Sequence, residues 1–269
     1  MVKSLNLNPL HIVFFTTLFS LPTILVIAHS RSGLLREHLS GVRLNYQLLA
    51  LLALSLLLNN YFYFAAFNQT SIAVAVFSHY TAPLFVVLLA PFLLSEKFDK
   101  RLLVPLFISL LGLATILAPG WRFNLLASDI KGAFYGVASG LAYAFTLIYA
   151  KRLTARLSPL ALVFWQSVFI LIFLLPFYML NPLFDLPTAS WLQLLAVGIL
   201  HCTLAPLVYL SGLRHVKAQH AAIIGYVEPL SAVFLGLLLI NETPSLSTCF
   251  GGAAILFSGL LISKLRERT

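Results

Sequence analysis

Residues Tyr63–Glu96 and Tyr209–Glu242 align without a gap at a shift of 146 positions. Tyr80 falls on Tyr226, Pro83 on Pro229, Leu84 on Leu230, Val87 on Val233 and Glu96 on Glu242. In a chain rich in leucine and alanine, scattered apolar matches carry little. A Tyr-x-x-Pro…Glu spacing held in one register over two helix-length segments carries more, and it restricts the fold to architectures made of two like halves. A second match sets Asn8-Pro9-Leu10-His11-Ile12-Val13-Phe14 against Ser158-Pro159-Leu160-Ala161-Leu162-Val163-Phe164 at a shift of 150. The four extra positions fit a longer loop around Ser30–Arg43 in one half.

Each half consists of apolar runs about as long as a bilayer crossing, which takes roughly 20 residues. Hydrophobic residues make up 60% of the 269 and charged ones 9%, more apolar surface than a soluble domain of this length can hide. The expected fold is an all-α membrane protein, a polytopic bundle of about nine helices. They lie near 9–29, 44–67, 71–94, 101–119, 131–152, 159–180, 191–213, 218–240 and 246–264. Barrel strands would show alternation over about ten residues. The first run has only Lys3 before it and no small-residue cleavage site after it, so it reads as a span. Cys202 and Cys249 sit in or beside apolar segments, with neither a disulfide framework nor metal spacing, and no cofactor is expected.

The net charge of +9 comes from basic residues placed singly and in threes between apolar runs, which argues for membrane topology over nucleic-acid binding. Alternate loops hold Arg31, Arg36 and Arg43; Lys97, Lys100 and Arg101; Lys151, Arg152 and Arg156; Arg214 and Lys217; and Lys264, Arg266 and Arg268. Those are fourteen of the 17 lysines and arginines, against Lys3, Arg122 and Lys131 on the other side. Positive charge stays inside, so the C-terminus is expected in the cytoplasm and the chain in the cytoplasmic (inner or plasma) membrane.

The repeats divide the chain at 1–121 and 122–269, with four helices in the first and five in the second. Equivalent helices lie five apart in chain order, an odd number, so the two units insert in opposite orientations. Inverted repeats of this kind place a solute site near the bilayer midplane. Tyr80-Thr81-Ala82-Pro83-Leu84 running on to Leu94-Ser95-Glu96-Lys97, Glu228-Pro229-Leu230 followed by Asn241-Glu242, and the Asn8-Pro9 and Ser158-Pro159 helix starts resemble the EamA-type transporters of the drug/metabolite transporter superfamily. The resemblance implies ten helices in two inverted five-helix repeats. The chain departs from it in lacking the first helix, for which a start codon upstream of Met1 is the expected reason and a shortened protein the alternative. It departs again at Thr16 and Gln166, where the family often has Arg.

Within the spans, Glu228 stands about ten residues into its helix, roughly 15 Å deep. A carboxylate there faces a cavity or a partner and is the first candidate for solute binding or proton coupling. His79 and His201 lie at similar depth, and Tyr80, Tyr226, Tyr143, Asn59 and Asn60 are candidates to line the same cavity. Each of these also has a structural reading, as a helix–helix hydrogen bond. Pro83 and Pro229 are candidate kinks around a gate, since a proline removes a backbone bond. Gly132, Gly136 and Gly140 share a face that lets another helix approach, in the monomer or, less expectedly, in a homodimer. Glu96 reads as an interfacial pair with Lys97.

The leading expectation is a secondary transporter of small polar metabolites, such as amino acids, working by alternating access in the lipid bilayer with protons as the candidate coupling ion. A lipid or lipid-linked flippase or assembly subunit on the same fold is the alternative. A membrane enzyme is disfavoured, because the loops hold no H-x-x-H and no paired carboxylates.

Overall fold

The computed structural model describes residues 7–30, 45–118, 127–183, 186–240 and 245–267, among which there is no strand. The helices are α1 Pro9–Ser30, α2 Tyr46–Phe67, α3 Ile72–His79, α4 Ala82–Leu94, α5 Leu103–Leu117, α6 Ala127–Thr154, α7 Pro159–Leu180, α8 Thr188–Ile199, α9 Ala205–Leu213, α10 Ala218–Ile224, α11 Val227–Ile240 and α12 Leu246–Glu267. A π-helical segment, Leu200–Leu204, joins α8 to α9. Among the described residues, eight stretches are long and apolar enough to cross a membrane. The ninth expected span, 218–240, is present as α10 and α11, and neither piece has the length to cross alone. The chain is an all-α multi-pass membrane protein. Arg31, Arg36, Arg43, Arg122, Glu242, Lys3 and Arg268 lie outside the described residues.

Three of the expected continuous helices are interrupted, each one turn ahead of a proline. The break between α3 and α4 precedes Pro83, that between α10 and α11 precedes Pro229, and the π segment precedes Pro206. A proline ring has no N–H and clashes with the carbonyl four residues back, at His79, Gly225 and Cys202 respectively. The chain must open there or widen to a π turn. Position alone does not decide it, because Pro22, Pro91 and Pro176 sit inside continuous helices.

Contacts group the chain into two compact units. The first comprises residues up to Leu57 and Tyr149–His215. Its core is Ile12, Phe14, Phe15, Ala53, Ile170, Leu174 and Leu194. Here α1 packs on α7 and α8. Phe14 stacks on Tyr178 with centroids 4.3 Å apart, and Phe15 meets Trp191 edge-on at 4.8 Å. The helix starts at Asn8-Pro9 and Ser158-Pro159 are equivalent N-caps: Asn8 Oδ1 accepts from Leu10 N at 3.0 Å, and Ser158 Oγ from Ala161 N at 3.2 Å. Proline loses nothing at the first helical position.

The second unit comprises Leu58–Ile148 and Val216 onward, with a core of Val87, Leu102, Leu106, Leu113, Ile223, Tyr226, Ile255 and Ile262. Its most extensive contact is α5 against α12. Ser258 Oγ donates to Pro105 O at 2.8 Å and Ser109 Oγ donates to Ser258 Oγ at 2.6 Å. A Cβ on Gly112 would lie 2.7 Å from Gly251 O. At the repeat shift of 146, Pro105 corresponds to Gly251 and Gly112 to Ser258. The same crossing is therefore made twice, once by a hydroxyl and once by bare backbone. Close packing of small residues is what holds helices together where lipid is as apolar as leucine.

Helices equivalent by repeat run antiparallel wherever they touch. In the first unit His11 pairs with Asn181 O and Ser20 with Ser167, so contacts on α7 descend as those on α1 rise. In the second unit Pro105 meets Ser258 while Gly112 meets Gly251, and Tyr80 meets Tyr226 while Glu96 meets Ala218. This is the geometry of an inverted repeat.

Basic loops also meet. In the first unit Lys151 Nζ donates to the last carbonyls of α9, Leu213 O at 2.9 Å and Arg214 O at 3.1 Å, where a helix end favours a cation. Arg156 Nη1 donates to Asn45 Oδ1 at 2.8 Å. In the second unit Glu96, expected to pair with Lys97, instead reaches α10. It accepts from Ala218 N at 2.8 Å and from Gln219 Nε2 at 3.1 Å. Lys217, the residue before α10, has no acceptor to cap with, whereas the equivalent Ser71 caps α3 itself by accepting from Val74 N. Ser95, left-handed at φ 56°, ends α4 and carries the chain round to that contact.

Candidate functional site

The second unit gathers most of the candidate residues around the break between α3 and α4. His79 ends α3 and Tyr80 follows it in the break. The His79 ring lies 4.4 Å from Tyr63 of α2, 5.6 Å from Tyr143 of α6 and 5.6 Å from Tyr80, centroid to centroid. Tyr80 in turn stacks on Tyr226 at 5.6 Å and 29°. Tyr226 is wholly buried and donates its phenolic proton to Tyr80 O at 2.7 Å. Gly225-Tyr226 is the corresponding break of the second repeat, so the two interruptions are bonded to each other.

Glu228 follows in the first turn of α11 and is exposed. Its carboxylate faces the Tyr80 hydroxyl, with Tyr63 beside it. The helix break explains the position. By opening a new N-terminus at Val227 it sets the acid against the positive end of the α11 dipole. The residue at the matching place in the first repeat is Ala82, so the duplicated frame carries its acid on one side only.

A fully buried serine, Ser139 on α6, organises this cluster from behind. Its hydroxyl donates to Gly136 O at 2.6 Å, which leaves its lone pairs to accept from His79 Nδ1 at 2.9 Å. That arrangement assigns the Nδ1–H tautomer and puts the lone pair on Nε2. Asn59 Nδ2 donates to Ser139 O at 3.0 Å, so Asn59 supports the cluster from α2. Asn60, its neighbour, is half-buried. The glycine face of α6 lets these groups approach: a Cβ on Gly132 would lie 2.6 Å from Thr70 Cβ, one on Gly136 2.5 Å from Ser78 Cβ, and one on Gly140 2.6 Å from His79 O. That face is occupied within the chain. Ser139 and Tyr63 are the residues that sequence reasoning passed over. Tyr63 heads the duplicated segment and pairs with Tyr209, a signal available in the sequence. Ser139 looked like one more small residue in a glycine row.

His201 belongs to the first unit, exposed on the π segment. Beside it Thr203 Oγ1 donates to Gly198 O at 3.1 Å, and Gly198 is so close to α1 that a Cβ would meet Thr16 O at 2.6 Å. Among the described residues no group of three His, Cys, Asp or Glu side chains forms a metal site.

The EamA-like transporter family matches the chain over residues 1–118 and 130–264. An uncharacterized transporter of Archaeoglobus fulgidus is 30% identical over 201 residues, covering 75% of this chain and 70% of its own. The uncharacterized transporter YxxF of Bacillus subtilis is 28% identical over 213 residues, covering 79% and 68%. A protein solved by crystallography shares the fold with a TM-score of 0.81 at 18% identity, over 98% of this chain and 90% of that one. With its helices, antiparallel repeats and apolar spans, the chain belongs to the EamA-like transporter family of membrane proteins.

Proposed function

We propose that this chain is a secondary transporter that moves a small polar metabolite across the cytoplasmic membrane by alternating access, with its C-terminus in the cytoplasm. The observation that carries the reading is the pair of broken, antiparallel, repeat-equivalent helices joined at Tyr80 and Tyr226, with Glu228 opening the second half-helix. Discontinuous helices let backbone and polar side chains reach the interior of a membrane protein, which unbroken apolar helices do not. Pro83 and Pro229 set the breaks and are the proposed hinge points of the gate. Glu228 is the proposed proton-coupling group, with His79 beside Tyr80 as its neighbour in the cluster.

Uptake of a panel of labelled amino acids and amines into proteoliposomes holding the purified chain tests the proposal. Saturable uptake above protein-free vesicles, driven by an imposed pH gradient, is expected. Lipid scrambling without solute uptake in the same vesicles would replace this reading with a flippase.

A further inference from the structure

We propose that the cluster of Tyr63, His79, Tyr80, Tyr143 and Glu228 binds an organic ammonium cation, making the cargo an amine. The statement that the bound cation is cargo rests on the transport reading above; the binding itself does not.

The rings do not form a single stack. About His79, Tyr63 is inclined at 38°, Tyr143 at 68° and Tyr80 at 85°, so three phenol rings box the imidazole in at different angles. These four side chains are half-buried and Glu228 is exposed, so the acid is the accessible member of the cluster. A ring face is electron-rich, and several around one point attract a cation, most strongly where water is excluded. The Glu228 carboxylate beside the Tyr63 and Tyr80 hydroxyls supplies the full negative charge. His79 adds an acceptor, since its Nδ1–H is spent on Ser139 and Nε2 holds the lone pair.

The N-terminus of α11, which favours an anion, is already set against Glu228. On α6 the nearest basic residues to Tyr143 are Lys151 and Lys131, about 12 Å and 18 Å along the helix axis. Lys151 is bonded to the end of α9, and Lys131 lies over the Tyr135 ring at 5.8 Å. The α2, α4 and α11 sequences contain no lysine or arginine. Several backbone amides at the breaks are already used within the chain. Pro83 has no N–H, Leu84 N donates to Thr81 O at 3.0 Å, Tyr226 N to Ile223 O at 3.1 Å and Glu228 N to Gly225 O at 3.0 Å. The cluster presents π faces, the His79 lone pair and one carboxylate, which suit an alkylammonium ion.

The test is calorimetric titration of the purified chain with three probes of nearly one shape: choline, its uncharged isostere 3,3-dimethylbutan-1-ol, and zwitterionic glycine betaine. Choline is expected to bind at least tenfold more tightly than either of the others. Glu228→Gln, a change at an exposed position, is expected to weaken choline about tenfold or more, with Tyr143→Leu as a second variant that alters a wall. Tyr135→Leu, outside the box, should leave choline affinity as it is. Melting curves of all variants identify any that fail to fold. Equal affinity for the alcohol, unchanged choline affinity in folded Glu228→Gln, or no choline binding at all overturns the assignment. Proteoliposome uptake separates the two readings. Transport of neutral or zwitterionic solutes without choline binding removes the cation site and leaves the carrier. Choline binding without uptake of any solute keeps the site and removes the carrier.

Discussion

The phenolic hydroxyl of Tyr226 donates to the backbone carbonyl of Tyr80 at 2.7 Å, and these two residues are 146 positions apart, one repeat. Each stands where its helix is interrupted ahead of a proline. The bond is asymmetric, because a side chain of one repeat holds the backbone of the other. Tyr80 keeps its own hydroxyl for Glu228.

That asymmetry predicts unequal phenylalanine substitutions. Tyr226→Phe leaves a Tyr80 carbonyl without its buried donor and should cost about 1–3 kcal/mol. Tyr80→Phe keeps the carbonyl and should cost less. Denaturation of the two variants in the same detergent ranks them, and an equal loss would mean that the bond does not clamp the breaks.

Gly136→Ala should destabilise the second unit. The added methyl would lie 2.5 Å from Ser78 Cβ, a backbone-anchored atom that yields only if α3 and α6 separate. Overpacking of this sort costs typically 1–3 kcal/mol. Gly212→Ala, where nothing lies within 4 Å, is the matched control. A melt in which the two behave alike would refute the close contact.

Glu96→Ala should lower stability by about 1–3 kcal/mol, since it strips the acceptor from Ala218 N and one of the two acceptors of the fully buried Gln219 amide. Lys97→Ala should cost less, because its part is a backbone carbonyl that the substitution retains. The comparison is by thermal unfolding. A larger loss at Lys97 would restore the interfacial-pair reading of this motif.

Glu228→Gln removes titration while keeping shape and hydrogen-bonding capacity. If this carboxylate couples transport to protons, uptake by the wild-type chain changes with pH and uptake by the variant does not. The measurement is initial rate against pH in proteoliposomes at matched protein amounts. Superimposable profiles would move coupling away from Glu228.

Topology is checked with single cysteines in a background lacking Cys202 and Cys249. Thr188→Cys, exposed at the start of α8, should react with an impermeant maleimide in sealed cells. Ala155→Cys, exposed in a basic loop, should react only after permeabilisation. The opposite pattern would invert the orientation argued from fourteen basic residues.

The all-α multi-pass class, the approximate limits of most spans and the match of one half to the other were determined by the sequence alone. Each rests on local quantities: the length of an apolar run, the place of a proline or a cap, a spacing repeated in one register. Bilayer thickness turns the first of these directly into structure. Asn8-Pro9 and Ser158-Pro159 were legible as equivalent helix starts because a cap needs only its own next turn. Which prolines break a helix was not legible, since Pro83, Pro206 and Pro229 do and Pro91 and Pro176 do not. The difference depends on whether neighbouring helices satisfy the freed backbone groups. The same holds for the candidate site. Glu228, His79 and Tyr80 stood out as polar residues in apolar spans, but Ser139 is a small residue among glycines until packing buries it between His79 and Asn59. Glu96 is one more charged residue at a span end until α10, 122 positions on, presents an uncapped N-terminus to it. Tertiary structure alone decided these pairings, because a hydrogen bond inside a membrane protein is set by which helix faces which, and the chain spells out only one helix at a time.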